Sequence, residues 1–306
     1  MPTRRHFLVT SAALAAGLGL LLASPEALAQ PAAPLLKRKV PSTGQALPVI
    51  GAGTSGSFEV AAGSAEYQQL KQVLQVFFDG GGQVIDTSPN YGGADAILGQ
   101  LLEEGGWRER TFLATKIAAD SQAAAQAQWA QTLRSLRTDK VELLQVHNLR
   151  DWQRQLPYAR ELKAQGLTRY VGVTHYTDGG LDTLEHILRS EPLDFIQIHY
   201  SVNAPAAART VLPLAQDKGV AVLINRAFDD GRLFARVKGQ ALPGWASEAG
   251  IGSWAQLFLK FALSHPAVTT VIPATSRPER QLDQLKAGTG PLLDAGQQQA
   301  LIALFG

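Results

Sequence analysis

The chain has 306 residues, 45% of them apolar, and its 28 basic and 26 acidic side chains leave a formal charge of +2. That length suits one globular domain of about 270–280 residues behind a leader, and the near-balance of charge, with no basic stripe interleaved with aromatics, argues against a nucleic-acid partner. There is no cysteine, so disulfides, thiolate catalysis and zinc–thiolate sites are excluded.

The first 29 residues stand apart. A basic start containing Arg4 and Arg5 runs into an apolar stretch from Leu8 to Ala23 and ends at Ala27-Leu28-Ala29. This is the anatomy of a secretory signal, with a small-x-small site for cleavage before Gln30. Paired arginines before Phe7-Leu8 resemble the twin-arginine export signal. That resemblance implies export of an already folded protein to the periplasm, with only transient membrane contact. The alternative is a retained anchor, for which an apolar run of about 16 residues is short of the roughly 20 that a span needs.

Residues 30–48 are rich in Pro, Ala and basic side chains without a sustained period, and read as a linker and irregular lead-in. From residue 49 to the end, short apolar runs alternate with helical patterns. Strands are expected at 49–53, 84–86, 111–116, 141–147, 170–174, 195–199, 221–224 and 268–273. Helices are expected at 65–79 (capped by Ser64), 94–104, 123–136, 156–165, 181–189, 206–218, 254–264 and 278–287, with a last amphipathic helix over 294–305. Eight strands alternating with helices predict a single-domain α/β fold, a (β/α)8 TIM barrel, over 49–306. Spacing alone leaves an open doubly wound sheet as the competing arrangement.

In such a barrel the polar residues at C-terminal strand ends carry the chemistry. The second strand runs VIDTSPNYGG, with Asp86 at its tip and Tyr91 in the following loop; the third ends at Lys116 and the fourth at His147. Singly, each has a plain structural reading: a loop cap, an ordinary aromatic, a paired lysine, a hydrogen-bonding histidine. Together, in this order and spacing, they resemble the Asp, Tyr, Lys, His tetrad of the aldo-keto reductase family. The likeness extends from about Gly51 to Leu285, with GVTHY standing in the place of the family's Gly-Val-Ser-Asn-Phe segment.

The chemistry asks for those residue types. Hydride addition to a carbonyl leaves an alkoxide that must be protonated. A phenol with a pKa of about 10 is a poor acid near neutrality unless an ammonium favours its ionised form, which Lys116 would do while paired with Asp86. A neutral His147 would donate to the carbonyl oxygen and polarise it.

No Gly-x-Gly-x-x-Gly follows a strand to open a helix, the one match, Gly51 to Gly56, falling on the first strand itself, and no P-loop is present, so the barrel itself must hold a nucleotide. The resemblance implies NADPH (NADP+ when oxidised), with Thr54 by the first strand, Thr174 and His175 against the nicotinamide carboxamide and Gln197 beside them. In VIPATSRPERQLDQL it implies Ser276, Arg277, Arg280 and Gln284 around the phosphate and adenosine, where a helix N-terminus and two arginines suit a 2′-phosphate. A lysine frequent there is Ala274 in this chain, and the seventh strand offers Asn225 and Arg226 where many members place a stacking ring. Phe58, Trp152, Phe228, Phe234 and Trp245 are candidates for an apolar substrate pocket.

The expected function is therefore NADPH-dependent reduction of an aldehyde or ketone, by a monomer acting on a small-molecule carbonyl. Two alternatives stay open: an exported barrel that holds NADPH without turnover, and a Schiff-base lyase using Lys116. The six histidines show no spaced metal-ligand set.

Overall fold

The computed structural model describes residues 33–305; the expected leader lies outside them. The described residues form one compact unit. It opens with an antiparallel hairpin of β1 (Lys37–Lys39) and β2 (Ala46–Pro48), where the sequence suggested an irregular lead-in. Each strand has only three residues, too few for a readable alternation.

Eight parallel strands follow: β3 (Ala52–Gly53), β4 (Val84–Asp86), β5 (Phe112–Ile117), β6 (Val141–Val146), β7 (Thr168–Thr174), β8 (Phe195–His199), β9 (Ala221–Asn225) and β10 (Val268–Val271). They pair in sequential order from β3 to β10. Bridges from Ile50 to Val271 and from Gly53 to Ala274 join the two edges, so the sheet closes into the expected barrel.

Strand period decides what each residue meets. In β5, Phe112 and Ala114 point into the barrel with Val84, Leu143, Tyr170 and Phe195, whereas Leu113 and Ile117 join the layer beneath the helices. The hairpin contributes Val40 and Leu47 to that inner cluster, closing the end of the barrel where the strands begin. The Thr43 hydroxyl and Tyr170 hydroxyl are 2.6 Å apart across this seam. The inner face is thus apolar at one end, and the same alternation continued along each strand brings polar residues to the other.

The outer layer holds α1 (Ala65–Asp79), α2 (Ala94–Glu104), α3 (Gln122–Ser135), α4 (Trp152–Ala164), α5 (Leu181–Ser190), α6 (Val211–Asp217), α7 (Arg232–Arg236), α8 (Gly244–Glu248), α9 (Trp254–Ser264), α10 (Pro278–Lys286) and α11 (Ala295–Ala303). Ser64 caps α1 by accepting from the Tyr67 N–H, and Asp294 with Gln297 forms a capping box on α11. α4 starts four residues before the expected helix, because its apolar face begins only at Leu156. The short α7 and α8 were not expected: five residues cannot show a helical period.

Gly99 marks a close contact between α2 and the end of α3. A Cβ there would lie 2.2 Å from the Ser135 carbonyl oxygen and 2.7 Å from the Leu136 backbone. Gly99→Ala should therefore cost about 1–3 kcal/mol by forcing α2 from the end of α3, seen as a lowered thermal midpoint with cofactor binding retained once folded.

Candidate active site

At the C-terminal rim of the strands lies a cleft of about 860 Å³. The inward-facing rows run into polar groups at their C-terminal ends: Asp86 on β4, Lys116 on β5, His147 directly after β6, Gln197 and then His199 on β8, and Asn225 on β9. The wall includes Asp86, Tyr91, His147, Gln197 and Asn225, and Lys116 sits behind Tyr91, almost wholly buried.

Lys116 Nζ donates to Asp86 Oδ2 at 2.6 Å and to the Thr87 carbonyl at 2.8 Å. It also lies 5.0 Å from the centre of the Tyr91 ring. Burial alone would lower the Lys116 ammonium, but the Asp86 carboxylate and Tyr91 outweigh it and hold the lysine above its usual value. Asp86 Oδ1 accepts from Gln197 Nε2 at 2.7 Å and from Gln145 Nε2 at 3.2 Å, so both carboxylate oxygens are satisfied in a nearly dry site.

Tyr91 belongs to the turn between β4 and α2. Its N–H donates to the Ser88 carbonyl at 3.1 Å, and its own carbonyl accepts from the Ala94 N–H at 2.8 Å. Gly92 and Gly93 at φ +50° and +85° let the chain swing directly into α2. Burial pushes the Tyr91 phenol above its ordinary value, and the Lys116 charge offsets only part of this. The sequence reading expected Lys116 to bring the phenol down; in this pocket desolvation wins, and Tyr91 stays in its acid form.

The His147 ring meets the Tyr91 ring edge-on, with centroids 5.7 Å apart. Burial first, and the Lys116 charge second, push His147 down to about 3. Ser88 Oγ lies 3.1 Å from His147 Nδ1 and already accepts from the Asn90 N–H. Its hydroxyl hydrogen is thus free for Nδ1, and donation there puts the ring proton on Nε2, the tautomer in which His147 serves as a donor.

This depressed histidine has a stability consequence. Below about pH 6.5 the unfolded chain protonates His147 while the folded one resists until about pH 3, so stability falls as pH drops through that window, by at most about 1.4 kcal/mol per unit. Denaturant titrations should show a gentler acid decline for His147→Gln than for the wild type.

The residues assigned to a cofactor divide into two groups. Thr54, Gln197, Asn225, Arg226 and Arg280 line the cleft. Thr54 Oγ1 donates to Thr87 Oγ1 at 2.8 Å, and Asn225 Nδ2 donates to the His175 carbonyl at 3.2 Å. Thr174 and His175 do not line it: the Thr174 hydroxyl accepts from the Asn148 N–H, and the His175 ring packs over Gly180. Ser276, Arg277 and Gln284 also lie off the wall. Arg277 is the N-cap of α10, whose first residue is Pro278, and Gln284 is buried on the same helix.

Arg226 is held in the left-handed region, φ +52°. Its guanidinium donates to Asp230 at 2.6 Å, Asp229 at 3.3 Å and the Tyr176 carbonyl at 3.1 Å. It lies 5.5 Å from the Tyr176 ring centre. β9 supplies no ring, but Tyr176, 47% exposed, puts one on the cleft wall. Gln145 and Tyr176 are the site residues that sequence reasoning missed. Their one signal was position, Gln145 two residues before His147 on the inner row and Tyr176 next to His175.

Of the five aromatics proposed for a substrate pocket, Phe228 and Phe234 reach the cleft. Phe58 is buried, Trp152 packs on His186, and Trp245 lies in a separate groove with Trp254. Among the described residues no group of three or more His, Asp or Glu is placed to hold a metal ion.

A profile of the aldo/keto reductase family matches residues 49–301. The chain belongs to this family. An aldo/keto reductase from Klebsiella pneumoniae solved in complex with NADP and acetate is 26% identical, with TM-score 0.72, over 86% of this chain and 93% of that one. A second aldo-keto reductase from the same organism, in complex with NADPH, is 25% identical with TM-score 0.73 over 89% and 96%. The NADH-specific methylglyoxal reductase of Escherichia coli (strain K12) is 25% identical over 194 residues, 53% of this chain and 57% of the relative. The chain thus spans little more than half the length of the curated relatives it matches. The profile match covers β3 to β10 and so the whole reductase barrel, including every strand end that bears a cleft residue.

Proposed function

We propose that this protein reduces an aldehyde or ketone to the alcohol with NADPH. The observation that carries the reading is the buried Lys116–Asp86 pair behind Tyr91, with His147 facing the same cleft. Bound NADPH supplies the hydride. His147 Nε2 donates to the carbonyl oxygen and orients it, and Tyr91 passes its proton to that oxygen as charge develops. Lys116 stabilises the phenolate left behind, and Asp86 holds Lys116 in place.

The cleft fits a nicotinamide dinucleotide. Asn225 Oδ1 and Arg226 Nε on its wall are buried without partners, and Thr54 and Gln197 add hydrogen-bonding groups. Arg280, on the first turn of α10, stands where free N–H groups and a forked cation suit a 2′-phosphate. The structures similar to this chain that hold NADP or NADPH support the same choice.

Titrating the protein with NADPH and NADH by tryptophan fluorescence tests the cofactor. Arg280→Ala should weaken NADPH about tenfold or more, roughly the 1.4 kcal/mol or more of a charge-assisted contact, and leave NADH nearly unchanged. Tight NADPH binding without turnover on any carbonyl would leave only a nucleotide-holding barrel.

The same reading places the enzyme, as a monomer, in the periplasm. Arg4, Arg5 and the Ala27-Leu28-Ala29 site support twin-arginine export with cofactor already bound. Fractionation of cells expressing the chain with both arginines changed to lysine should find it retained in the cytoplasm.

A further inference from the structure

Gln145 stands on β6 two residues before His147, inside the barrel and shielded from solvent. It pairs in register with Lys116 on β5. Its Nε2 donates to Asp86 Oδ1, the oxygen that Gln197 also serves, while Asp86 Oδ2 takes Lys116. Its own Oε1 has no partner.

Two features separate Gln145 from a packing residue. A methionine would fill the same volume without burying an orphaned carbonyl, so packing alone does not favour an amide here. The two donors on Asp86 Oδ1 also differ in exposure, because Gln197 lies on the cleft wall and Gln145 does not. A ligand amide in the cleft competes for Gln197, and Gln145 is the donor it cannot draw away.

We propose that Gln145 is a positioning residue for proton transfer: it fixes the Asp86 carboxylate so that Lys116 stays aimed at Tyr91 while the cleft is occupied. This rests on Tyr91 being the proton donor. The groups that face Asp86 are Lys116 from β5, Gln145 from β6, Gln197 from β8 and Tyr91 at the cleft, with His147 beyond Tyr91.

The test is Gln145→Met in the full chain. Thermal denaturation should show a midpoint equal to or above wild type, since the orphan is removed. The NADPH dissociation constant should be unchanged, and kcat with 4-nitrobenzaldehyde should fall on the order of tenfold. In an ultraviolet difference titration against Tyr91→Phe, the phenol should ionise at higher pH than in wild type, because a positive dipole end is withdrawn from beside the carboxylate. Gln145→Glu can donate to Asp86 only while protonated, so its kcat relative to wild type should recover as pH falls, which a merely structural role would not produce.

Wild-type kcat and wild-type phenol ionisation in Gln145→Met would overturn the proposal, as would a lost midpoint in both variants with no acid recovery in Gln145→Glu. If wild type reduced no aldehyde, the proposed reaction would fail, while the phenol titration would still decide the role of Gln145.

Discussion

Tyr91→Phe should lower the rate of carbonyl reduction by about 10³-fold and leave NADPH affinity within about twofold of wild type. The substitution removes one hydroxyl and keeps the half-buried ring that packs against the core and over Lys116. What disappears is the acid that protonates the alkoxide. His147 remains in place to polarise the carbonyl, held by Ser88, so a residual rate above background should survive. Single-turnover measurements with saturating NADPH isolate this step from product release. A loss of less than tenfold would mean that another group supplies the proton, and the assignment of Tyr91 would fall.

Lys116→Met should cost stability as well as rate. The lysine is almost wholly buried and forms an ion pair with an equally buried Asp86 at 2.6 Å. Removing one partner leaves an uncompensated buried charge, which costs about 3–5 kcal/mol. For a chain of this size that is a fall in thermal midpoint on the order of 10 °C. The double variant Lys116→Met with Asp86→Asn removes both charges and should regain most of the stability but none of the activity. That contrast separates the two roles of the pair, and strict additivity of the two single changes would show that the residues do not interact.

The inner face of the barrel explains why part of this site was legible in advance. A period of two turns alternate residues inward, so apolar residues at strand starts fill the closed end and polar ones at strand ends face the cleft. Asp86, Lys116 and His147 could be picked out because each ends an apolar run, and Tyr91 because it follows one at short range. Gln145 obeys the same parity, but a single glutamine within a strand gives no sign of its partner; Asp86 is 59 residues away. For His175, position along the chain pointed to the cofactor, and only the tertiary structure shows its ring beside Gly180.

Residue order along the chain determined the alternation of strand and helix, the number of barrel strands, the punctuation by Gly and capping residues, and the types of group at each strand end, because these depend on local period and local sterics. Only the closed tertiary structure decided which groups meet: it set Gln145 and Gln197 on one carboxylate oxygen, tied Arg226 to Asp229 and Asp230, put Tyr176 on the cleft wall, and made burial outweigh Lys116 at the Tyr91 phenol. Those outcomes depend on through-space distances and on the exclusion of water, and both arise only once eight strands have closed around a common axis.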